Sequence, residues 1–345
     1  MIGDVLLSSI LCEALHLKFP GVTVDFLVNV ENKEVILNNP FIRKNVLFST
    51  KIARSPRLFY KFLQQVRSEN YDLVIDAYGK MESNLISLFS GANKKISFYK
   101  WYTCWIYSKC IDRVPIVLTQ AGNALENRLR LLFNDEEIPE SIIKPKIYLT
   151  EEEKKWGKNY LENSTISLKK PIIMISILGS STDKSLPDSY MAEILDAVAS
   201  QNEVQLIFNY IPHQKQNASQ IIQKTCKDSQ NVMYPEIYGK SLREFLAILY
   251  HCSALIGNEG GAVNMAKALG LRTFTIFSPW IGKEVWNMFE DGVFHDSVHL
   301  KDFNPEIYEG KLPKELKPES EILYKQLTPE RILPKLSLFL KNIRE

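Results

Sequence analysis

Residues 254–279 read ALIGNEGGAVNMAKALGLRTFTIFSP, and this stretch decides the fold. Ala254 to Gly257 is an apolar run too short for a helix, so it predicts a strand. Asn258, Glu259, Gly260 and Gly261 break that run. Ala262 to Leu269 holds strong helix formers, with Val263, Ala266 and Leu269 on one face and Gly270 at the C-cap position. Thr273 to Phe277 is β-branched and aromatic, hence a second strand, and Pro279 stops it. A strand entering a helix through two glycines turns backbone N–H groups toward a ligand, and the helix dipole favours an anion there. A tight turn without any ligand accounts for Gly260 and Gly261 equally well.

The rest of the second half alternates in the same way. Ile172 to Leu178 and Val204 to Tyr210 predict strands. Met191, Ile194, Leu195 and Val198 recur at helical spacing, as do Leu242, Phe245, Leu246 and Leu249, and Ile221 to Cys226 lies in a helix. In the first half, Ser8 to Phe19 predicts a helix ended by Pro20-Gly21, and Val22 to Val28, Asp72 to Tyr78 and Lys94 to Tyr99 predict strands. Residues 117–133 read as a helix, 144–149 as a strand and Glu151 to Asn163 as a charged helix. Alternating strands and helices mean parallel sheets with covered faces, an α/β fold. The polar run Ser164 to Lys170 divides a domain over 1–165 from a second over 166–325. Ile332, Leu336, Phe339 and Leu340 mark a closing helix within 326–345.

Composition narrows the function. The chain has 345 residues, 45% hydrophobic and 24% charged, with net charge +2, which suits a soluble two-domain protein and not a dedicated nucleic-acid binder. Five scattered cysteines without a CxxC predict reduced thiols, as in a cytosol. No apolar run has the length of a membrane span and no signal peptide opens the chain, so a membrane role would be peripheral. Residues 35–68 hold Arg43, Lys44, Lys51, Arg54, Arg57, Lys61 and Arg67 and no carboxylate. That is either a solvated helix face or a patch for an anionic acceptor. The aromatic run 98–107, FYKWYTCWIY, is a packed core or hairpin, or an edge at a membrane surface.

Three groups of residues are suited to chemistry. Asp4 precedes an apolar helix, where a carboxylate serves as an N-cap or as a base for a hydroxyl. Gly179-Ser180-Ser181-Thr182-Asp183-Lys184-Ser185-Leu186-Pro187 links a strand to a helix. Ser180 and Ser181 can bond phosphate oxygens and Lys184 can offset the charge of a departing diphosphate, though a solvated serine turn has the same composition. His213 and Gln214 follow another strand, and Lys240 precedes a helix, as weaker candidates for the same pocket. There is no GxGxxG, no P-loop, no DxD and no HExxH, so neither a cofactor nor a metal is expected. His295 and His299 are four apart but read as a strand, which puts them on no common helical face.

The opening stretch resembles the donor-site signature of glycosyltransferase family 9, the ADP-heptose:lipopolysaccharide heptosyltransferases. The matching residues are Glu259, Gly260, Gly261, Asn264, Ala266, Ala268, Leu269 and Gly270, then Phe277, Ser278 and Pro279. Glu259 stands where the family has Asp, and Asn264 where it has His. Lys184 and Pro187 match a Lys-x-Trp-Pro motif in which Leu186 replaces Trp, and Gly3-Asp4-Val5-Leu6 resembles the first loop and helix of the family. The family has a strand before that loop; a true start upstream of Met1 is the expected reason for its absence here.

The resemblance implies a GT-B architecture, two Rossmann-like domains facing a cleft, with the closing helix packing back on the first. It implies an inverting transfer from a nucleotide diphosphate sugar, ADP-heptose foremost, to a lipid-linked saccharide such as the lipopolysaccharide core. Asp4 would be the catalytic base, and Ser180, Ser181, Lys184, Glu259, Gly260, Gly261 and Asn264 would bind the donor. The expected location is the cytoplasm, at the inner face of the membrane. A sugar-nucleotide epimerase of the same fold and a non-catalytic saccharide-binding relative are the alternatives.

Overall fold

The computed structural model describes residues 2–139, 144–201 and 203–343. The chain forms two compact units, Met1–Lys146 and Ile147–Glu345. The first runs α1 (Ile2–Ser8), α2 (Ile10–Lys18), β1 (Asp25–Asn29), β2 (Lys44–Phe48), α3 (Thr50–Arg54), α4 (Pro56–Ser68), β3 (Leu73–Asp76), α5 (Met81–Phe89), β4 (Lys94–Phe98), β5 (Lys109–Ile111) and α6 (Asn123–Leu129). The second runs α7 (Glu151–Glu162), β6 (Ile172–Ser176), α8 (Asp188–Ala199), β7 (Gln205–Asn209), α9 (Lys215–Gln223), α10 (Lys227–Gln230), α11 (Leu242–Leu249), β8 (Ala254–Asn258), α12 (Gly261–Ala268), β9 (Arg272–Ile276), α13 (Lys283–Trp286), β10 (His295–Val298), α14 (Pro313–Leu316), α15 (Ser320–Gln326) and α16 (Pro329–Asn342).

The second unit is built on one all-parallel sheet in the order β10-β9-β8-β6-β7. Its strands are buried along nearly their whole length, as apolar runs in a sheet covered on both faces must be. Ile173, Ile175, Leu206, Ile256, Phe274 and Ile276 pack with Leu195 of α8 and Phe339 of α16 in one core. α16 turns Ile332, Leu336, Phe339 and Leu340 inward onto α8 and β10, with the Phe339 ring 5.6 Å from Phe274. α7 lies against α11 and joins them through Arg243 and Glu153, so it belongs with the second unit and the division falls before it, at Lys146, not near 165.

The first unit holds two separate parallel sheets, β1-β2 and β3-β4-β5. α4 buries Phe62, Leu63 and Val66 against Val46 of β2 and Ile86 of α5. Several expectations change here. Residues 117–133 give only the seven-residue α6: a turn precedes it, and Gly122, at φ +85°, lies outside the helical range. Residues 144–149 form no strand. β2, within the basic run, was not anticipated. Asp4 lies inside α1, in its first turn, and not in a loop. Cys104 and Cys110 are joined in a disulfide, against the expectation of five free thiols. The crossover from β4 to β5 doubles back within six residues and brings their Cα atoms to 6.0 Å, inside the range a disulfide spans. Cys12, Cys226 and Cys252 are free.

Candidate functional site

The chain leaves β6 for β7 on one side and returns to β8 on the other. The loops after β6 and β8 therefore part at a topological switch point, where open α/β sheets bind ligands. Lys184 stands on the first loop and Glu259 on the second, with Nζ and Oε1 3.4 Å apart. The first loop turns sharply: a Cβ on Gly179 would lie 2.1 Å from the Lys184 carbonyl oxygen, so only glycine fits. The Ser185 hydroxyl accepts from the Gly179 N–H at 3.0 Å and donates to the Ser181 carbonyl at 2.9 Å. Ser180 and Ser181 remain exposed at the tip.

Asn258, the last residue of β8, is fully buried and locks the two loops together. Its amide oxygen accepts from the Leu186 N–H at 2.8 Å, and its amide nitrogen donates to the carbonyls of Ser176 and Ile177 at 3.1 and 3.0 Å. Leu186, in place of the family's Trp, is itself only 1% exposed. Ser278 and the Trp280 indole both donate to the Asp183 carbonyl, at 2.7 and 2.8 Å, and the Lys184 ammonium lies 5.4 Å from the Trp280 ring. Sequence reasoning missed Asn258 and Trp280. The available signal was a polar residue closing an otherwise apolar strand, and an aromatic directly after Ser278-Pro279.

Burial raises the Glu259 carboxyl above its ordinary range, while the Lys184 ammonium opposes that shift. Asp183 is held low by the Ser181 hydrogen bond and by Lys317, 3.5 Å away. A pocket opens beside the start of α12, lined by Glu259, Gly260, Asn264, Lys267, Thr275 and Trp286 among others. A Cβ on Gly260 would meet nothing within 4 Å, so the approach to the first turn of α12 is open. The buried Thr275 hydroxyl has no hydrogen-bond partner among the described residues and is available to a ligand. Lys267, one turn after Asn264, donates to Asn287 Oδ1 at 3.2 Å and to the Met288 carbonyl. These neighbours enclose its ammonium, and burial pushes its pKa down to about 8.

Of the weaker candidates, Gln214 donates to the Gly179 carbonyl at 2.7 Å and so abuts the serine loop. His213 and Lys240 are exposed, the latter with its backbone N–H on Glu244. Asp4 lies in the other unit, where its carboxylate meets Arg128 at 3.1 Å. Arg128 also donates to Ser8 Oγ and the Ala124 carbonyl. Among the described residues no cluster of three or more His, Cys, Asp or Glu is placed to hold a metal.

The geometry can be set beside known proteins. E. coli ADP-heptose lipopolysaccharide heptosyltransferase II is 15% identical and has a TM-score of 0.72, with 100% of this chain and 97% of that one covered. A glycosyl transferase family 9 protein from Veillonella parvula is 13% identical, with a TM-score of 0.79 and coverage of 99% and 95%. The E. coli heptosyltransferase WaaC with ADP is 14% identical, with a TM-score of 0.61 and coverage of 96% and 97%. No curated protein matches the chain. The fold is thus the GT-B class expected from the sequence, two α/β units with parallel sheets. Residues 59–283 match glycosyltransferase family 9 (heptosyltransferase). With about two thirds of its length so matched, the chain belongs to glycosyltransferase family 9 and is a glycosyltransferase.

Proposed function

We propose that the protein transfers a heptose or related sugar, with inversion, from a nucleotide diphosphate donor to a saccharide acceptor of the lipopolysaccharide-core type. The observation that carries this reading is the meeting of Lys184 and Glu259 at the switch point of the second sheet. An ammonium, two exposed serine hydroxyls and the free amides of the first turn of α12 form an anion site suited to a diphosphate. In the reaction Asp4 takes the proton of the acceptor hydroxyl, whose oxygen attacks the anomeric carbon. The bond from that carbon to the diphosphate oxygen breaks, and Lys184, Ser180, Ser181 and the Gly260–Gly261 amides stabilise the charge that leaves. Asn264, in the pocket beside α12, and Gln214, against the serine loop, add contacts to the donor, with His213 and Lys240 as weaker candidates. Positive charge from Lys184 and α12 takes the place of a metal, so the transfer is metal-independent. ADP-heptose is the favoured donor, because solved family structures carry ADP and ADP-2-deoxy-2-fluoro heptose. A lipid-linked acceptor places the enzyme at the cytoplasmic face of the membrane, in peripheral contact with it. Among the described residues no helix is long and apolar enough to cross it.

The test is a melting screen of wild type and Lys184→Ala with ADP, GDP, UDP and their sugars, followed by turnover with the best donor. An adenine nucleotide should give the largest stabilisation, since a ligand stabilises the state that binds it. Lys184→Ala should cost about 2–4 kcal/mol of transition-state stabilisation, read as kcat at saturating donor. A larger shift with GDP or UDP reassigns the donor; no shift with any nucleotide removes the transferase reading.

A further inference from the structure

Six of the seven cations in the basic run of the first unit divide into two kinds. Arg43 and Lys44 are held by carboxylates, Arg43 by Asp25 at 2.6 Å and Lys44 by Glu69 at 2.5 Å. Lys51 and Arg54 on α3, and Arg57 and Lys61 on α4, are exposed. The ion pairs and hydrogen bonds among the described residues include none from these four side chains. Lys51 and Arg54 are three apart on α3, and Arg57 and Lys61 are four apart on α4, on the side of α4 opposite the buried Phe62, Leu63 and Val66. No carboxylate interrupts residues 35–68. Four like charges with no internal partner repel one another, and an anionic surface outside the molecule relieves that repulsion.

We propose that the α3–α4 cations dock the protein on an anionic phospholipid bilayer. The inference rests on the proposed lipid-linked acceptor and gives that reading a physical surface. Aromatic side chains in the same unit favour a bilayer over a nucleic acid. Tyr60, 62% exposed, lies between Arg57 and Lys61 on α4. The β4–β5 crossover leaves Trp101 and Trp105 at 82% and 72% exposed, in a run from 94 to 113 with five cations and one carboxylate, Asp112. Amphipathic rings of this kind prefer the headgroup layer. The apolar face of α4 is spent on its own core, so contact is electrostatic and reversible, not an insertion of that helix.

The experiment is co-sedimentation of the full chain with vesicles of phosphatidylcholine alone or mixed in roughly equal parts with phosphatidylglycerol, at low and high salt. Wild type should bind the anionic vesicles, leave the neutral ones and be released as salt rises. K51Q/R54Q/R57Q/K61Q should weaken binding on the order of 10²–10³-fold, the product of four cations at an anionic surface. K215Q/K227Q/K311Q/K314Q, which neutralises four exposed lysines of the second unit, should bind like wild type. If the fourfold α3–α4 variant melts early, R57Q/K61Q carries the test, with about half that loss on a logarithmic scale. Equal loss in both fourfold variants, undiminished binding in the α3–α4 variant, equal binding to neutral vesicles, or capture by duplex DNA in preference to vesicles would overturn the proposal. Nucleotide-induced melting shifts in the same preparations report on the second unit alone. Their absence beside intact vesicle binding sinks the transferase reading, and the reverse sinks only the docking.

Discussion

Lys267 carries a charge where its surroundings prefer none. Its folded pKa, about 8, lies below the ordinary lysine value of 10.5. Between those values the unfolded chain binds the extra proton, so stability rises with pH across that window. Below about 8 the penalty is constant, at most about 3 kcal/mol. Lys267→Met should therefore stabilise the protein near neutrality, less the loss of its bonds to Asn287 and Met288, and should flatten the alkaline rise. Urea unfolding of both proteins at neutral and alkaline pH checks this, and parallel slopes would contradict it. Asp4 poses a different question, because it is both the proposed base and the partner of the nearly buried Arg128. Asp4→Asn should lower turnover by roughly 10²–10⁴-fold with the ADP-induced melting shift intact. It should also lower stability by about 1–3 kcal/mol, as Arg128 loses a charged acceptor. A lower melting temperature with full turnover would leave Asp4 a structural role only.

At the level of elements, the joint between β6 and β8 depends on one amide. Asn258→Ala removes three buried hydrogen bonds and leaves the Leu186 N–H and two carbonyls without that partner. The expected cost is about 2–4 kcal/mol by denaturant unfolding, with weaker nucleotide binding as the Lys184 loop loosens. Wild-type affinity in this variant would show that the loop needs no such tie. The joint also marks where the sequence stops being readable. β8, α12 and β9 were each expected within a residue or so of their observed ends, because apolar runs and Gly270, at φ +79°, are local signals. Lys184 was legible as a residue type suited to an anion and Glu259 through the family resemblance, and the two do lie together. Asn258, Trp280 and Lys267 were not, since each matters through neighbours distant in sequence. The disulfide was hidden for a similar reason: its spacing matches no common motif, and the crossover that closes it is tertiary. β2 was masked because KNVLF opens on two polar residues, Lys44 and Asn45, and then runs apolar for three without alternating.

For the whole molecule, the two units differ in how their strands are organised. The second has one sheet of five strands and closes its own core with α16, whereas the first has sheets of two and three. A fragment spanning Ile147–Glu345 should therefore unfold in a single cooperative melt and keep a nucleotide-induced shift, but transfer no sugar. A molten, non-cooperative fragment would show that the second core needs the first unit. The placement of candidate residues in that sheet bears also on how such a protein diverges. At the apolar positions of β6, β7, β8 and β9 the main demand is for bulk and branching, which Val, Ile, Leu and Phe supply with modest cost. Gly257 and Asn258 are exceptions: a Cβ on Gly257 would lie 2.4 Å from the Ser176 carbonyl oxygen, and the Asn258 amide makes three buried hydrogen bonds. The loops after the strands carry the candidate donor-binding groups, and loops of this kind vary more than the scaffold that holds them. Shape is thus kept after most residue identities have been exchanged, as TM-scores of 0.61 to 0.79 at 13–15% identity over nearly whole chains record.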